Sequence, residues 1–263
     1  MQDGEMNTFP ESALPDVLRE NAFVRISSLN EKTKIDAFEY CDCASMEEVI
    51  VEEGIEEIGE YAFLGCVNLK NILLPSTLRK IGEGAFRDCS SLESLSIPEG
   101  VEVIPAYMCA WDENLKEVSL PESVFDIERN AFAYCLSLHS ISFPSRLRHI
   151  GSNAFSFCSS LQNIEVPDSL QELESYAFSG CSQLVRAKLP SNSNMLGELI
   201  FTGCNKLNEI TCLSATPPSF DCDSPLFDPL ETIQWENCRL IVIPESIKLY
   251  RKAPGWKFFT NFH

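Results

Sequence analysis

The sequence predicts an α/β repeat solenoid with one parallel β-sheet face and short helical turns opposite that face. Three columns of residues recur at steps of 23, and a fixed period of this kind is the signature of a repeat architecture. A single repeat cannot bury its apolar edge alone, so neighbouring repeats must stack around one continuous core. The three columns are Phe63, Phe86, Cys109, Phe132, Phe155, Phe178 and Phe201; Cys66, Cys89, Asp112, Cys135, Cys158, Cys181 and Cys204; and Pro75, Pro98, Pro121, Pro144, Pro167 and Pro190.

Each repeat begins with a short strand. Ile72 and Leu74 alternate as in a strand with one buried face, and Pro75 then ends the pairing because proline has no N–H to donate. The period therefore predicts about nine parallel strands along one face of the solenoid. They are expected near residues 47–51, 70–74, 93–97, 116–120, 139–143, 162–166, 185–189, 208–212 and 239–243.

The rest of the repeat is expected to turn and to become helical. Leu78 and Ile81 follow the strand at helix-like spacing, and Gly82 marks a turn. Phe86 and Cys89 are three residues apart, so one helical turn would direct both side chains into the core.

Three segments follow from this pattern. Residues 1–34 do not fit the repeat and are predicted to form an N-terminal cap, with an amphipathic helix over residues 12–20. Residues 35–213 hold the repeats. Residues 214–263 are predicted to form a C-terminal cap, with a final strand at 239–243 and a helix at 245–252.

The repeat unit resembles a known family. It reads Ile-Gly-x-x-Ala-Phe-x-x-Cys-x-x-Leu-x-x-Ile-x-Leu-Pro and is similar to the BspA-type leucine-rich repeat over about residues 35–213. The resemblance implies a leucine-rich-repeat solenoid from a bacterial cell-surface or secreted protein that acts in adhesion or ligand binding. The first residues lack the basic and apolar regions of a signal peptide. The resemblance then implies that the signal has been removed, and a cytoplasmic location is the alternative.

Charge excludes some classes of partner. The chain carries a net charge of −19, and residues 1–60 hold 16 acidic against 4 basic residues. Without a basic stripe to neutralise phosphates, nucleic-acid binding is not expected. The sequence contains no apolar run of 18 residues, so we predict no membrane insertion by this chain.

Most of the twelve cysteines are interpreted as packing residues, because they fall in the repeating cysteine column or, like Cys212 and Cys238, in other apolar positions of the repeat. Stacked strands lie about 4.7–4.9 Å apart, but their Cβ vectors run parallel and do not converge as a disulfide requires. The column thiols are therefore predicted to be reduced and buried. No Cys-x-x-Cys pair is present, so we assign no metal site and no cofactor. Asp112 would be costly if buried unpaired, so the turn is expected to open to solvent there.

We expect no enzyme activity. His139 and Ser140 could suggest a base and a nucleophile, but neighbouring residues on a strand point to opposite sides. No glycine-rich phosphate loop, nucleophile elbow or two-histidine metal motif is present, and the carboxylates form no evident acid–base pair.

Function is therefore expected at the surface. The leading hypothesis is a non-enzymatic module that binds a protein or glycan, host-derived ligands included, through its solenoid faces. The alternative is a structural spacer or a self-associating surface subunit. A third hypothesis is an intracellular scaffold. On the strand face the candidate binding residues are Ser94, Ser96, Glu117, Ser119, Ser140, Ser142 and Glu165.

An aromatic column is the second candidate surface. Trp111, Tyr134 and Phe157 each precede the column cysteine or its replacement in three consecutive repeats, with Asp88 and Gly180 on either side. They are expected to look outward, and a contiguous apolar patch of this kind is typical of an interaction site. Such rings would suit sugar stacking or protein anchoring. The alternative is that they fold over the coil edge and pack there.

Overall fold

The computed structural model describes residues 22–28, 32–192, 195–220, 226 and 236–263. The helix expected at 12–20 lies outside the described residues. Within them, a typical coil contributes a longer strand, a two-residue strand and a segment of turns. The strands in chain order are β1 (Phe23–Ile26), β2 (Lys34–Ile35), β3 (Glu48–Val51), β4 (Glu57–Ile58), β5 (Asn71–Leu73), β6 (Lys80–Ile81), β7 (Ser94–Ser96), β8 (Val103–Ile104), β9 (Glu117–Ser119), β10 (Asp126–Ile127), β11 (His149–Ile150), β12 (Asn163–Glu165), β13 (Glu172–Leu173), β14 (Arg186–Leu189), β15 (Met195–Leu196), β16 (Glu209–Cys212), β17 (Ser219–Phe220), β18 (Arg239–Ile241) and β19 (Asn261–Phe262).

The longer strands form the predicted parallel face. Their order is β1-β3-β5, then β7-β9, then β12-β14-β16-β18-β19. Within the paired strands from β3 to β16 the register advances by one 23-residue repeat, as in Asn163 opposite Arg186. Eight of the nine predicted strands are confirmed to within two residues. The ninth is wrong, because residues 139–143 form no strand and the row is interrupted there. A backbone bond from Gln162 to the His139 carbonyl (3.4 Å) is retained at the start of that segment.

A second row of short strands replaces the helix-like segment expected after each proline. Its order is β2-β4-β6 and β8-β10-β11-β13-β15-β17, with parallel pairing throughout. The spacing of Leu78 and Ile81 predicted a helical segment, and this prediction is wrong. Leu78 points inward from a turn closed by its own N–H and the Pro75 carbonyl (3.2 Å), whereas Ile81 points inward from β6. Both side chains are buried although no helix joins them.

The segment around the phenylalanine and cysteine columns consists of successive β-turns, which corrects the expectation of a short helical turn. The N–H groups of Leu64 and Cys66 bond to carbonyls three residues earlier (3.1 and 3.2 Å). The alternating N–H groups of Tyr61, Phe63 and Gly65 bond to carbonyls of the next coil, at 2.8, 2.8 and 2.9 Å. Every second amide therefore leaves the coil, which no α-helix allows. We call this third hydrogen-bonded row the turn ladder.

Left-handed backbone makes the turn ladder possible. Each coil places two residues at positive φ in this segment, for example Tyr61 (φ 53°) and Gly65 (φ 70°). Glycine adopts this conformation without a steric cost, but other residues rarely do. Most of these positive-φ positions in the described coils are nevertheless not glycine. Contacts with neighbouring residues must therefore stabilise their left-handed backbone.

One continuous core runs through the described coils. Phe132, Phe155 and Phe178 stack on one another with ring centroids 5.2 and 5.3 Å apart. The column cysteines are buried beside them, and each thiol donates to the carbonyl 26 residues earlier. The bonds are Cys66 to Tyr40, Cys89 to Phe63, Cys135 to Cys109, Cys158 to Phe132, Cys181 to Phe155 and Cys204 to Phe178, at 3.1–3.2 Å. Cysteine is thus both an apolar filler and a hydrogen-bond donor at this position.

Asp112 breaks this pattern, and the expectation that it faces solvent is wrong. Its side chain is fully buried. Oδ1 accepts the Cys89 backbone N–H at 2.7 Å, whereas Oδ2 has no hydrogen-bond partner among the described residues. Burial raises the pKa of this carboxyl well above its ordinary value.

The C-terminal end is closed by aromatic packing. The strand predicted at 239–243 is confirmed as β18, and β19 pairs beyond it. The helix predicted at 245–252 is shorter in the structure: a 3₁₀ turn at Pro244–Ser246 leads into α1 (Ile247–Tyr250). Trp256 is fully buried, and its indole N–H donates to the Pro218 carbonyl at 2.8 Å. Within the described parts of the chain, no helix is long and apolar enough to cross a bilayer.

Candidate interaction surfaces

The outward side of the longer strands presents the predicted strand-face residues to solvent. Ser94 and Ser96 lie on β7, Glu117 and Ser119 on the paired β9, and Ser96 is directly opposite Ser119. The candidate residues of this group are all exposed: Ser94, Ser96, Glu117, Ser119, Ser140, Ser142 and Glu165. The alternation of inward apolar and outward polar side chains was correctly predicted from the strand period.

An open groove of about 670 Å³ lies on this strand face, beside the interrupted strand at residues 139–143. Of the candidate residues, Ser142 and Glu165 line it. Phe143 contributes an apolar wall, and its ring meets the Phe155 ring edge-on at a centroid distance of 5.5 Å. Sequence reasoning missed this groove because it assumed a strand at 139–143, and no local residue pattern indicated the break.

Charged pairs mark the far side of the groove. Lys188 bonds to Glu165 of the preceding coil, and this carboxylate raises the pKa of the lysine above its ordinary value. Oε1 of Glu209 lies 3.8 Å from Nε of Arg186, and Oε2 of the same carboxylate lies 3.5 Å from Nη1 of Arg239. These pairs join consecutive coils on an exposed surface, where each contributes about 0–1 kcal/mol to stability. Their charges are therefore available to a partner at little cost to the fold.

Trp111, Tyr134 and Phe157 form a single stack on the turn ladder. The Trp111 and Tyr134 rings are 5.4 Å apart and within 5° of parallel. Those of Tyr134 and Phe157 are 4.7 Å apart and within 11°. Trp111 and Tyr134 are partly buried, and Phe157 is 44% exposed. We call these three residues the aromatic column.

The ring faces of the aromatic column are covered at both ends. The Arg87 guanidinium lies 4.6 Å from the centroid of the Trp111 ring. At the other end, a Cβ added to Gly180 would lie 2.7 Å from Cδ1 of Phe157, so the glycine backbone lies against that ring. Stacking of a sugar requires a free ring face, and this column presents mainly ring edges. Arg87 was not identified from the sequence, although it sits beside Asp88 in the coil preceding Trp111.

The structure therefore brings the candidate residues together as two surfaces. Ser94, Ser96, Glu117, Ser119 and Glu165 belong to the longer strands, and Ser140 and Ser142 to the segment that interrupts their row. The aromatic column belongs to the turn ladder on another side of each coil. His139 and Ser140 are both exposed and lie in the segment that forms no strand. Neither surface combines a nucleophile, a base and an oxyanion donor in the way that hydrolytic catalysis requires.

Comparisons with known proteins agree with this architecture. A family model described as the BspA-type leucine-rich repeat region matches in six copies, over residues 17–138 and 102–217. Among solved structures, the chain is similar to a leucine-rich repeat protein of T. pallidum, with 25% identity, a TM-score of 0.50, and coverage of 71% of this chain and 79% of that one. It is also similar to a leucine-rich repeat protein of Bacteroides ovatus, with 22% identity, a TM-score of 0.50, and coverage of 98% and 86%. Among curated proteins, none matches the sequence significantly.

Proposed function

Because the chain belongs to the BspA-type leucine-rich repeat family, we propose that it is a non-enzymatic binding module that recognises a protein partner through its strand face. The observation that carries this proposal is the groove beside the interrupted strand, where hydroxyls, an aromatic wall and charged pairs converge. Repeat solenoids bind through extended faces of this kind. The proposed location is the bacterial cell surface or the extracellular medium, as the family resemblance implies.

The contact surface is proposed to centre on Ser142 and Glu165 and to continue along Ser140, Ser119, Glu117, Ser96 and Ser94. Small hydroxyl side chains leave room for a partner's larger anchors, while Arg186 and Lys188 supply charge at the rim. Protein interfaces in general obtain most of their affinity from a few central residues and have a polar rim.

A protein partner fits this chain better than a glycan held by ring stacking. The faces of the aromatic column are covered by neighbouring rings, by Arg87 and by the Gly180 backbone. The exposed edge of Phe157 can still add apolar contact to a protein that reaches around the coil.

Bulky substitutions test the strand face directly. Ser142→Trp and Ser119→Trp each place an indole on exposed positions, so melting should change little while binding is blocked. The matched control is Glu102→Trp, which adds the same bulk beside the short strands. Binding would be measured on a panel of purified host extracellular proteins and on a glycan array. The proposal fails if ligands that bind the native chain bind all three variants equally, or if only glycans bind.

Self-assembly is the alternative reading of the same surface. Multi-angle light scattering of the native chain and of Ser142→Trp separates the two. A concentration-dependent oligomer that the tryptophan disrupts would show that the strand face meets a second copy of this chain.

A further inference from the structure

His149 lies among three carboxylates on the row of short strands. In register it stands between Asp126 of β10 and Glu172 of β13. Its Nδ1 is 2.6 Å from Oδ1 of Asp126, and its Nε2 is 3.1 Å from Oε1 of Glu174. Imidazole nitrogen and carboxylate oxygen are both metal-ligand types, so this arrangement differs from a purely acidic patch.

Three atoms of metal-ligand type lie close together. One ring nitrogen of His149 and one carboxylate oxygen each of Glu172 and Glu174 lie within 4.8 Å of one another. Ligands at about 2.0–2.2 Å from a common zinc ion lie about 3.4 Å apart at the tetrahedral angle. Glu172 is exposed, so its carboxylate has room to turn toward that geometry.

Charge provides a second, independent argument. On the same row, Oε1 of Glu57 lies 3.0 Å from Nζ of Lys34 and 3.2 Å from Nζ of Lys80. The charge of the Glu57 carboxylate is therefore neutralised by the two lysines. Around His149 the described part of the chain supplies no ion pair from lysine or arginine to Asp126, Glu172 or Glu174. Three carboxylates surround one imidazole, and even its protonated form would leave two negative charges without a partner. A divalent cation would supply that missing charge.

We propose that His149, Glu172 and Glu174 bind a divalent metal ion of the zinc class, with water completing its coordination. Neutral imidazole nitrogen and carboxylate oxygen are both zinc ligands. Asp126 acts as a positioning residue: it accepts the Nδ1 proton, and the metal ion takes the place of the hydrogen bond between Nε2 and Oε1 of Glu174, which gives the common arrangement of metal-binding histidines. The ion binds without any change of oxidation state.

The surroundings leave the site ordered and open. Oε2 of Glu174 accepts both the backbone N–H and the hydroxyl of Ser152, at 2.7 and 2.6 Å, which holds this ligand in place. An open cavity of about 270 Å³ lies against Glu172 and Glu174 and gives the ion and its water access. Sequence reasoning missed the site because its ligands come from different coils. The one feature of the sequence that places two of them side by side is that His149 and Glu172 are one 23-residue period apart.

Calorimetry on the full chain, stripped with a chelator and kept reduced, tests the proposal. Zinc chloride should bind at one ion per chain and raise the melting temperature, since a ligand of the folded state stabilises it. Magnesium and calcium, which prefer oxygen ligands, should bind far more weakly. An absence of saturable zinc binding would overturn the proposal.

Substitutions then identify the ligands. Glu172→Gln and His149→Gln should each weaken zinc binding by at least about tenfold, and Asp126→Asn by about 10–100-fold without changing the stoichiometry. Glu102→Gln, an exposed carboxylate change two coils away, is the control and should leave zinc binding unchanged. Because Glu172 is exposed, its variant should fold normally, which circular dichroism would verify.

Cobalt(II) distinguishes this site from the cysteines. Binding at His149 should give a d–d spectrum without the intense sulfur-to-cobalt charge-transfer absorption of thiolate ligands. That absorption, or zinc affinity unaltered in Glu172→Gln and His149→Gln, would show that the metal binds elsewhere and would refute the proposal. Neither result bears on the strand face, which lies on the other row of strands.

Discussion

Replacing Asp112 by cysteine should stabilise the protein at neutral pH. Asp112 occupies the cysteine column but leaves Oδ2 buried without a partner, and an unsatisfied buried polar group costs about 1–3 kcal/mol. Cysteine removes that group and restores the thiol bond to the carbonyl 26 residues earlier, which here belongs to Phe86. The bond to Cys89 N–H is lost, but this N–H also bonds to Phe86 O at 3.2 Å. We therefore expect Asp112→Cys to raise the free energy of unfolding by about 1–3 kcal/mol.

The gain should depend on pH in a defined direction. Burial raises the pKa of Asp112 in the folded chain, whereas the unfolded value is about 3.9. The stabilising contribution of the protonated carboxyl is fully present below the unfolded pKa and is lost as pH rises through the folded pKa. The advantage of Asp112→Cys should therefore be smaller at pH 4 than at pH 7.

Urea denaturation and calorimetric melting at both pH values provide the assay. For a chain of this size each kcal/mol corresponds to about 2–4 °C in Tm. Asp112→Asn is the matched control, since it keeps a buried polar side chain but cannot titrate and so should show no pH-dependent difference from the cysteine variant. A cysteine variant that is less stable at pH 7, or equally favoured at pH 4, would refute the reasoning.

Three further predictions follow from the packing. Cys135→Ser places a hydroxyl in an apolar position and should lower the free energy of unfolding by about 1–3 kcal/mol, measured in urea; thiol titration of the native chain should find the column cysteines reactive only after denaturation. Gly82→Ala should lower Tm, because the added Cβ would lie 2.4 Å from Glu60 N and overpacking costs about 1–3 kcal/mol; unchanged melting would contradict that. Deleting residues 239–263 should cause aggregation visible by light scattering, whereas excising the repeat 150–172 should leave a soluble, folded chain.

The longer strands could be predicted from the sequence because their signal is local and repeated. Inward Ile72 and outward Leu73 follow from alternation alone, and Pro75 fixes where the strand ends. The same evidence did not distinguish a helical turn from consecutive β-turns, because both direct Phe86 and Cys89 inward. The two conformations differ in the carbonyl groups that accept hydrogen bonds from alternate N–H groups. In the β-turns these carbonyls belong to the next coil, so the spacing of residues within one coil does not reveal them.

The surfaces were less predictable than the core. Exposure of Ser94 and Ser96 was read correctly from the register, but the groove depends on a strand that fails to form at 139–143. The cluster around His149 depends on which side chains meet across coils. Asp112 was recognised as exceptional, yet its burial follows from the turn ladder, whose bonds continue on both sides of it: Trp111 N to Ala133 O at 2.8 Å and Asp88 N to Ala110 O at 2.9 Å. The hydrogen bonds of the turn ladder keep the Asp112 side chain buried, although a carboxyl group alone would favour solvent.

The aromatic column is explained by the same ladder. Trp111, Tyr134 and Phe157 have φ values of 67°, 63° and 59°, and a left-handed backbone costs a non-glycine residue about 1–2 kcal/mol. Each stacked ring pair contributes about 0.5–1.5 kcal/mol, and the Arg87 contact adds a similar amount. These gains offset the strain only where aromatic neighbours are adjacent, so a lone ring at this position would be unfavourable. The two flanking coils have Asp88 and Gly180 there, and both residue types tolerate a left-handed backbone. The run of three rings therefore has a structural cause that requires no ligand, and the strand face remains the surface whose residues the fold leaves free for a partner.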